Sequence, residues 1–152
     1  YDLSTGQIVQ LRDSEMDLSY RHSIFLDHPE WIVLSGVFKL SYGYGPAIRE
    51  QMKKNRDSRK EKQPVEFPSA GSVFKRPVDN FAARMIDTAG LKGVAVGGAQ
   101  VSEKHAGFVV NFADATFENV MDVIKHVRET VKKNFNTTLE TEVKIIDIDY
   151  RG

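Results

Sequence analysis

Between residues 115 and 135, seven apolar residues recur mostly three and four positions apart: Phe117, Val120, Met121, Ile124, Val127, Val131 and Phe135. At 3.6 residues per turn that spacing gathers them into one stripe along a helix, and such a stripe has to be covered by a packed core. Asp114 or Thr116 is suited to cap the start of this helix. With 152 residues, 41% of them hydrophobic, the chain has enough material for that core; its length fits one domain, or one and a part.

The other elements are shorter. Residues 1–11 hold two apolar runs around Ser4-Thr5-Gly6, which reads as a hairpin. Residues 31–42 are largely apolar and read as a strand closed by Gly43 to Pro46. Pro46 suits the first turn of a helix running to about Lys60, which the Gln63-Pro64 pair ends. Residues 64–77 read as a loop, and Asn80 as the cap of a helix over 81–89 that Gly90 stops. Residues 94–96 and 107–111 read as short buried strands separated by a polar loop, and residues 142–148 as a last strand. Helices and strands alternate irregularly, with some hairpin content and no internal repeat, so the expected class is α+β. The chain opens at Tyr1 inside an apparent strand, and the expectation is a piece of a longer protein.

Composition removes several functions. Formal net charge is zero, which gives no global basic excess for nucleic acid or an anionic membrane. The cations from Lys53 to Lys62 are diluted by Glu50, Asp57 and Glu61 and have no interleaved aromatics, so they read as a solvated helix end. No cysteine is present, which excludes disulfides, thiolate catalysis and Cys–metal sites. The longest apolar run is too short to span a bilayer, and no stretch has a signal-peptide pattern.

Some residues could carry chemistry. In the segment 68–77, Ser72 follows Gly71 and precedes two cations, Lys75 and Arg76, with prolines at both ends. Such a segment can hold a hydroxyl beside an anionic ligand, although the motif on its own reads rather as a turn serine bonding its own backbone. It is not a hydrolase elbow, and Gly93 to Gly98 has neither the dinucleotide fingerprint nor the phosphate-loop lysine, so its glycines read as turns. His22, His28, His105 and His126 have no metal-ligand spacing, and no metal is expected. His126 falls off the apolar stripe and reads as a surface residue; His28 reads as a structural loop residue. His105 lies in a polar loop with Gln100, where it could bond backbone carbonyls. Arg21 could pair with Asp17 or Asp27, and Glu142 could be an exposed strand-end carboxylate.

Taken in order, these segments resemble one flavoenzyme family. Residues 20–25, Tyr20-Arg21-His22-Ser23-Ile24-Phe25, are similar to Y-R-x-S-x-F. Lys62-Gln63-Pro64 and then residues 69–77 resemble K-x-P followed by A-G-S-x-F-K-x-P. Residues 89–93 and 97–108 look like the next family stretch, and residues 139–144 resemble L-E-x-E-V-[RK]. The family is UDP-N-acetylenolpyruvoylglucosamine reductase (MurB), and the match extends over almost the whole chain.

The resemblance implies an NADPH- and FAD-dependent reduction of UDP-N-acetylglucosamine enolpyruvate to UDP-N-acetylmuramate, a cytoplasmic step toward peptidoglycan. Residues 1–45 would end a vanillyl-alcohol-oxidase-like FAD-binding domain, and 46–152 would form the substrate-binding domain. The N-terminal FAD-binding region of the same protein would lie before Tyr1 and be a partner of this chain, which is expected to be inactive alone. The short span from Phe25 to Pro46 resembles the subclass without an added substrate loop, type II. By the same resemblance, Ser72 donates a proton to the substrate α-carbon, and Arg21 and Glu142 flank its carboxylate. Tyr20, Lys62, Arg76, Gln100 and His105 would hold the UDP-sugar; Arg76 stands where some members carry Asn. The competing reading is a nucleotide-sugar binding module without redox activity, which keeps Lys62, Arg76 and His105 but needs no flavin.

Overall fold

The computed structural model describes residues 1–78 and 80–146. The chain divides into two compact units, Tyr1–Gly43 and Tyr44–Gly152. The second is built from α1 (Gly45–Lys62), β1 (Ser69–Ser72), α2 (Ala82–Thr88), β2 (Ala95–Val96), β3 (Ala99–Val101), β4 (Phe108–Asn111) and α3 (Phe117–Phe135). Its four strands make one antiparallel sheet in the order β1-β4-β3-β2, an α+β arrangement as expected.

α3 forms where the apolar stripe predicts. The Thr116 hydroxyl accepts from the Asn119 N–H at 3.2 Å, and Asn119 Oδ1 accepts from the Thr116 N–H at 3.2 Å, so two orphan donors of the first turn are satisfied. Asn136 ends the helix with φ +52°, a left-handed conformation its short amide tolerates. Val123, Ile124, Val127 and Val131 are buried, and α3 packs on β2, β3, β4 and α2. Each such side chain contributes about 1.5–3 kcal/mol when removed from water. Val123 belongs to the stripe at the right spacing, whereas Phe117, the first helical residue, stays half exposed at its rim. From the sheet, Ala99, Val101 and Val109 join this core, with Met85 and Ile86 from α2 and Leu139 beyond α3.

α1 buries nothing; Lys53–Asp57 (2.9 Å) and Lys54–Glu50 (2.8 Å) pair one turn apart on its surface, as a solvated helix should. α2 begins one residue later than expected, with Phe81 as its cap while Asn80 Oδ1 accepts the Phe81 N–H at 2.8 Å; Gly90 follows its end at φ +72°. The glycines between β2 and β3 do make a turn. A Cβ on Gly98 would lie 1.9 Å from the Ala113 carbonyl oxygen, so no side chain fits there.

Four expectations require correction. The loop over 64–77 contains β1, and the polar loop after Gly97 contains β3; three or four residues are too few for alternation to stand out. Residues 33–42 form no ladder, and Val37 and Phe38 are 98% and 83% exposed. A strand exists only against a partner backbone, and among the described residues that stretch has none beyond the bonds of Tyr1 with Ile32. For the same reason residues 142–146 are not a strand: Thr141 bridges Phe74, and the ladder stops there. Ile148 lies outside the described residues.

In the first unit the hairpin shrinks to a turn closed by the Asp2–Gln7 bridge, with a second bridge from Asp2 to Trp31. The Asp2 carboxylate accepts from the Ser4 hydroxyl and from the Ser4 and Thr5 N–H groups, which draws its pKa down to about 2. Among the described residues, no helix is long and apolar enough to cross a membrane.

Candidate functional site

The serine segment is shaped by an irregularity in the sheet. Ser69 pairs with Val110 and Ser72 with Phe108, so three steps along β1 match two along β4. The extra residue is a β-bulge, and Gly71 takes the left-handed conformation it needs, with φ +86°. Ala70-Gly71-Ser72 therefore bends the edge of the sheet and leaves Ser72 exposed at its end. Immediately afterwards Val73 and Phe74 turn inward and are buried, which anchors the bulge from below.

Two further segments are tied to that anchor. The Val73 carbonyl accepts the Glu142 N–H at 2.7 Å, and the Glu140 carbonyl accepts the Lys75 N–H at 2.9 Å. Glu142 is thereby held half-buried against the residue next to Ser72, rather than standing as an exposed strand end. On the other side, the Val73 N–H donates to the Gly107 carbonyl at 2.9 Å, and the Gly107 N–H donates to His105 Nδ1 at 3.1 Å. The His105 ring stands edge-on to Phe108, 5.0 Å between centroids, and Phe108 is the residue paired with Ser72. Ser72, Glu142 and His105, distant in sequence, thus converge on one margin of the sheet. The ring does not bond a backbone carbonyl, as its loop position suggested; it accepts a backbone N–H.

Lys62 is the last residue of α1, whose end is tied to the His105 loop. Lys104, next to His105, donates from Nζ to the Lys60 carbonyl at 3.3 Å and pairs with Glu66 at 2.7 Å. That bond with Lys104 holds the Glu66 carboxyl below its usual range, and the clamp fastens the end of α1 to the His105 loop. Arg76 is stacked on the Phe81 ring, 4.0 Å from its centroid, with Nε donating to the Asn80 carbonyl at 3.3 Å; its guanidinium is braced but exposed. Gln100 lies in the middle of β3, opposite Val110, and its amide donates to the Gly93 carbonyl at 3.1 Å. That bond ties it to the turn before β2.

Tyr20 and Arg21 sit in the first unit, at the tip of a tight turn closed by two bonds of 3.2 Å between the Ser19 and His22 backbones. Arg21 has φ +59°, a conformation costing a side-chain-bearing residue about 1–2 kcal/mol. The Asp17 and Asp27 carboxylates meet His22 Nε2 at 3.1 and 3.3 Å. The Arg21 guanidinium lies 5.9 Å from the Tyr20 ring centroid. His28 stacks on Trp31 at 4.0 Å and meets Glu30 at 2.8 Å, a structural residue as expected; His126 is exposed.

Ser102, Lys104 and Gly107 were not singled out as functional in the sequence. Ser102 is buried, and its hydroxyl accepts the Lys104 and His105 N–H groups at 3.2 and 3.3 Å. A serine two and three residues before the amides it caps is the one local signal that pointed to it.

Residues 63–146 match the family model "UDP-N-acetylenolpyruvoylglucosamine reductase, C-terminal domain". The chain belongs to that family. A reductase of this name from Pediococcus pentosaceus is 52% identical over 141 residues, covering 93% of this chain and 47% of the relative. One from Clostridium novyi is 48% identical over 143 residues, covering 94% and 46%. The crystal structure of the MurB reductase from Thermus caldophilus superposes with a TM-score of 0.69 at 32% identity, over 86% of this chain and 46% of that one. The chain spans about half the length of the curated MurB relatives it matches. Its four-stranded α+β unit is the MurB C-terminal fold.

Proposed function

We propose that this chain is the substrate-binding part of an enzyme that reduces UDP-N-acetylglucosamine enolpyruvate to UDP-N-acetylmuramate in the cytoplasm, for peptidoglycan synthesis. Residues 46–152 are the substrate-binding domain, and residues 1–45 end an FAD-binding domain. The observation that carries the reading is the bulge at Gly71, which leaves Ser72 exposed next to Val73, the residue whose backbone bonds to Glu142 and to Gly107.

The glycine-rich turn of this chain does not fit a dinucleotide pyrophosphate. The space beside Gly97 is filled by Asn119 Oδ1, 2.3 Å from where a Cβ would stand, and that beside Gly98 by backbone of Ala113. FAD and NADPH are accordingly assigned to the N-terminal region of the full-length enzyme. Flavin chemistry there would supply the hydride for the enolpyruvyl β-carbon.

The residues of this chain serve the other half of the reaction. Negative charge develops at the α-carbon and the carboxylate, and a planar guanidinium at Arg21 stabilises it by bidentate bonding. Glu142 flanks the same carboxylate together with Arg21. The Ser72 hydroxyl delivers the proton to the α-carbon. Serine is a weak acid, so water or a neighbour must restore that proton. Lys62 and Arg76 supply cations for the diphosphate, with Gln100, His105 and Tyr20 completing the nucleotide-sugar site.

The test is Ser72→Ala in the full-length enzyme. Reduction of the flavin by NADPH should be unchanged, while reoxidation by substrate should slow by about a hundredfold or more. Reoxidation at the native rate in stopped flow would remove Ser72 from the reaction.

A further inference from the structure

The His105 loop is held by hydrogen bonds to both backbone groups of His105 and to both of Gly107. Ser102 donates its N–H to the Phe108 carbonyl at 2.9 Å, and Phe108 donates back to the His105 carbonyl at 3.0 Å. The Ser102 hydroxyl takes the His105 N–H, and Phe108 lies against the ring. The decisive contact is the Gly107 N–H on Nδ1, at 3.1 Å. A backbone N–H can only donate, so Nδ1 must present its lone pair. In the neutral ring the proton is then on Nε2. Among the described residues, Nε2 has no hydrogen-bond partner.

Gly107 also explains why the ring is so placed. A Cβ there would stand 3.0 Å from His105 Cε1 and 3.2 Å from Nδ1, closer than ordinary contact. Its carbonyl, meanwhile, accepts the N–H of Val73, the residue after Ser72. One residue without a side chain thus joins the imidazole to the serine bulge.

We infer that Gly107 is a positioning residue that fixes neutral His105 as its Nε2–H tautomer. In that tautomer the ring offers an anionic oxygen of the ligand one hydrogen-bond donor, Nε2–H. The identity of the ligand, a nucleotide diphosphate sugar, rests on the function proposed above; the tautomer does not.

Two measurements on the 152-residue chain test this. The first is ring-nitrogen NMR of the 15N-labelled protein, with His105→Gln to assign the signal. Nδ1 should resonate as an unprotonated nitrogen and Nε2 as a protonated one; a protonated Nδ1 in the neutral ring overturns the inference. The second is calorimetric titration with UDP-N-acetylglucosamine. His105→Gln, which keeps an amide donor near the Nε2 position, should stay within about threefold of the parent affinity. His105→Lys and Gly107→Ala should each weaken binding by about tenfold to a hundredfold. Parent-like affinity in His105→Lys would show that charge is what the ligand uses, and would refute the donor role even if Gly107→Ala fails to fold. If neither the parent chain, with the Nε2–H signal in place, nor the chain extended to the length of its relatives binds UDP-sugar, the ligand role falls together with the functional reading while the tautomer stands.

Discussion

Replacing Gly98 by alanine is the most severe small change this fold can be given. The new Cβ would meet the Ala113 oxygen at 1.9 Å, its carbonyl carbon at 2.5 Å and the Ala115 nitrogen at 2.6 Å, all backbone atoms. None can swing aside alone. The Phe112 and Ala113 N–H groups donate to the Gly98 carbonyl at 3.0 and 3.3 Å, and Ala115 donates to Asn111 Oδ1 at 3.0 Å just before the α3 cap. Relief therefore means opening the contact between the β2–β3 turn and the start of α3. Overpacking of this kind costs about 1–3 kcal/mol and each lost hydrogen bond about 1 kcal/mol, for a total of about 3–5 kcal/mol. For a unit of this size that is a fall in Tm of roughly 12–30 °C. Gly71→Ala is the internal comparison. Nothing lies within 4 Å of its Cβ position, so only the positive φ is strained, at about 1–2 kcal/mol. Thermal unfolding followed by far-ultraviolet circular dichroism should rank the parent above Gly71→Ala and Gly71→Ala well above Gly98→Ala. A Gly98→Ala protein as stable as Gly71→Ala would refute the steric argument.

Lys104→Ala should lower stability by no more than about 1 kcal/mol, because its ion pair with Glu66 is partly exposed. It should nevertheless weaken UDP-sugar binding by releasing the end of α1 that carries Lys62; calorimetry set against Tm separates the two effects. Asp2 supplies a pH prediction. Its hydrogen bonds with Ser4 first, then Thr5, lower its pKa from 3.8 to about 2. A depressed carboxylate stabilises the folded turn fully above the ordinary carboxylate range and loses that contribution only as pH falls through about 2. The Ser4 amide shift in NMR should therefore stay constant until about pH 3; a midpoint near 3.8 would contradict the bonding seen.

How far the sequence could be read depended on where each element finds its partner. α3 was legible because its periodicity, cap and burial all lie within 21 consecutive residues, Thr116 to Asn136. α1 was legible from Pro46 and the Gln63-Pro64 stop. Among the strands, β2 and β4 were read from their apolar runs, but β1 and β3 were not, since their evidence lies in another segment: Ala99–Val101 is recognisable only against Val109 to Asn111, and the run over 33–42 looks like a strand until no partner is found among the described residues. At the site, Ser72, His105 and Glu142 were each named through the family resemblance. What brings them together could not be read locally. It takes the misregister of β1 against β4 and the paired bonds of Val73 with Gly107 and Glu142. The contacts of His22 with the Asp17 and Asp27 carboxylates could not be read from spacing either, since they depend on the tight turn at residues 19–22.

On the function proposed here, one margin of this sheet binds a nucleotide diphosphate sugar bearing an enolpyruvyl group. Calorimetric titration of the chain with UDP-N-acetylglucosamine enolpyruvate tests it most directly. Binding should be saturable, and Lys62→Ala should weaken it by about tenfold to a hundredfold, as expected for loss of a charged hydrogen bond. Binding that Lys62→Ala leaves unchanged, or no binding even when the chain is extended to the length of its relatives, would contradict it.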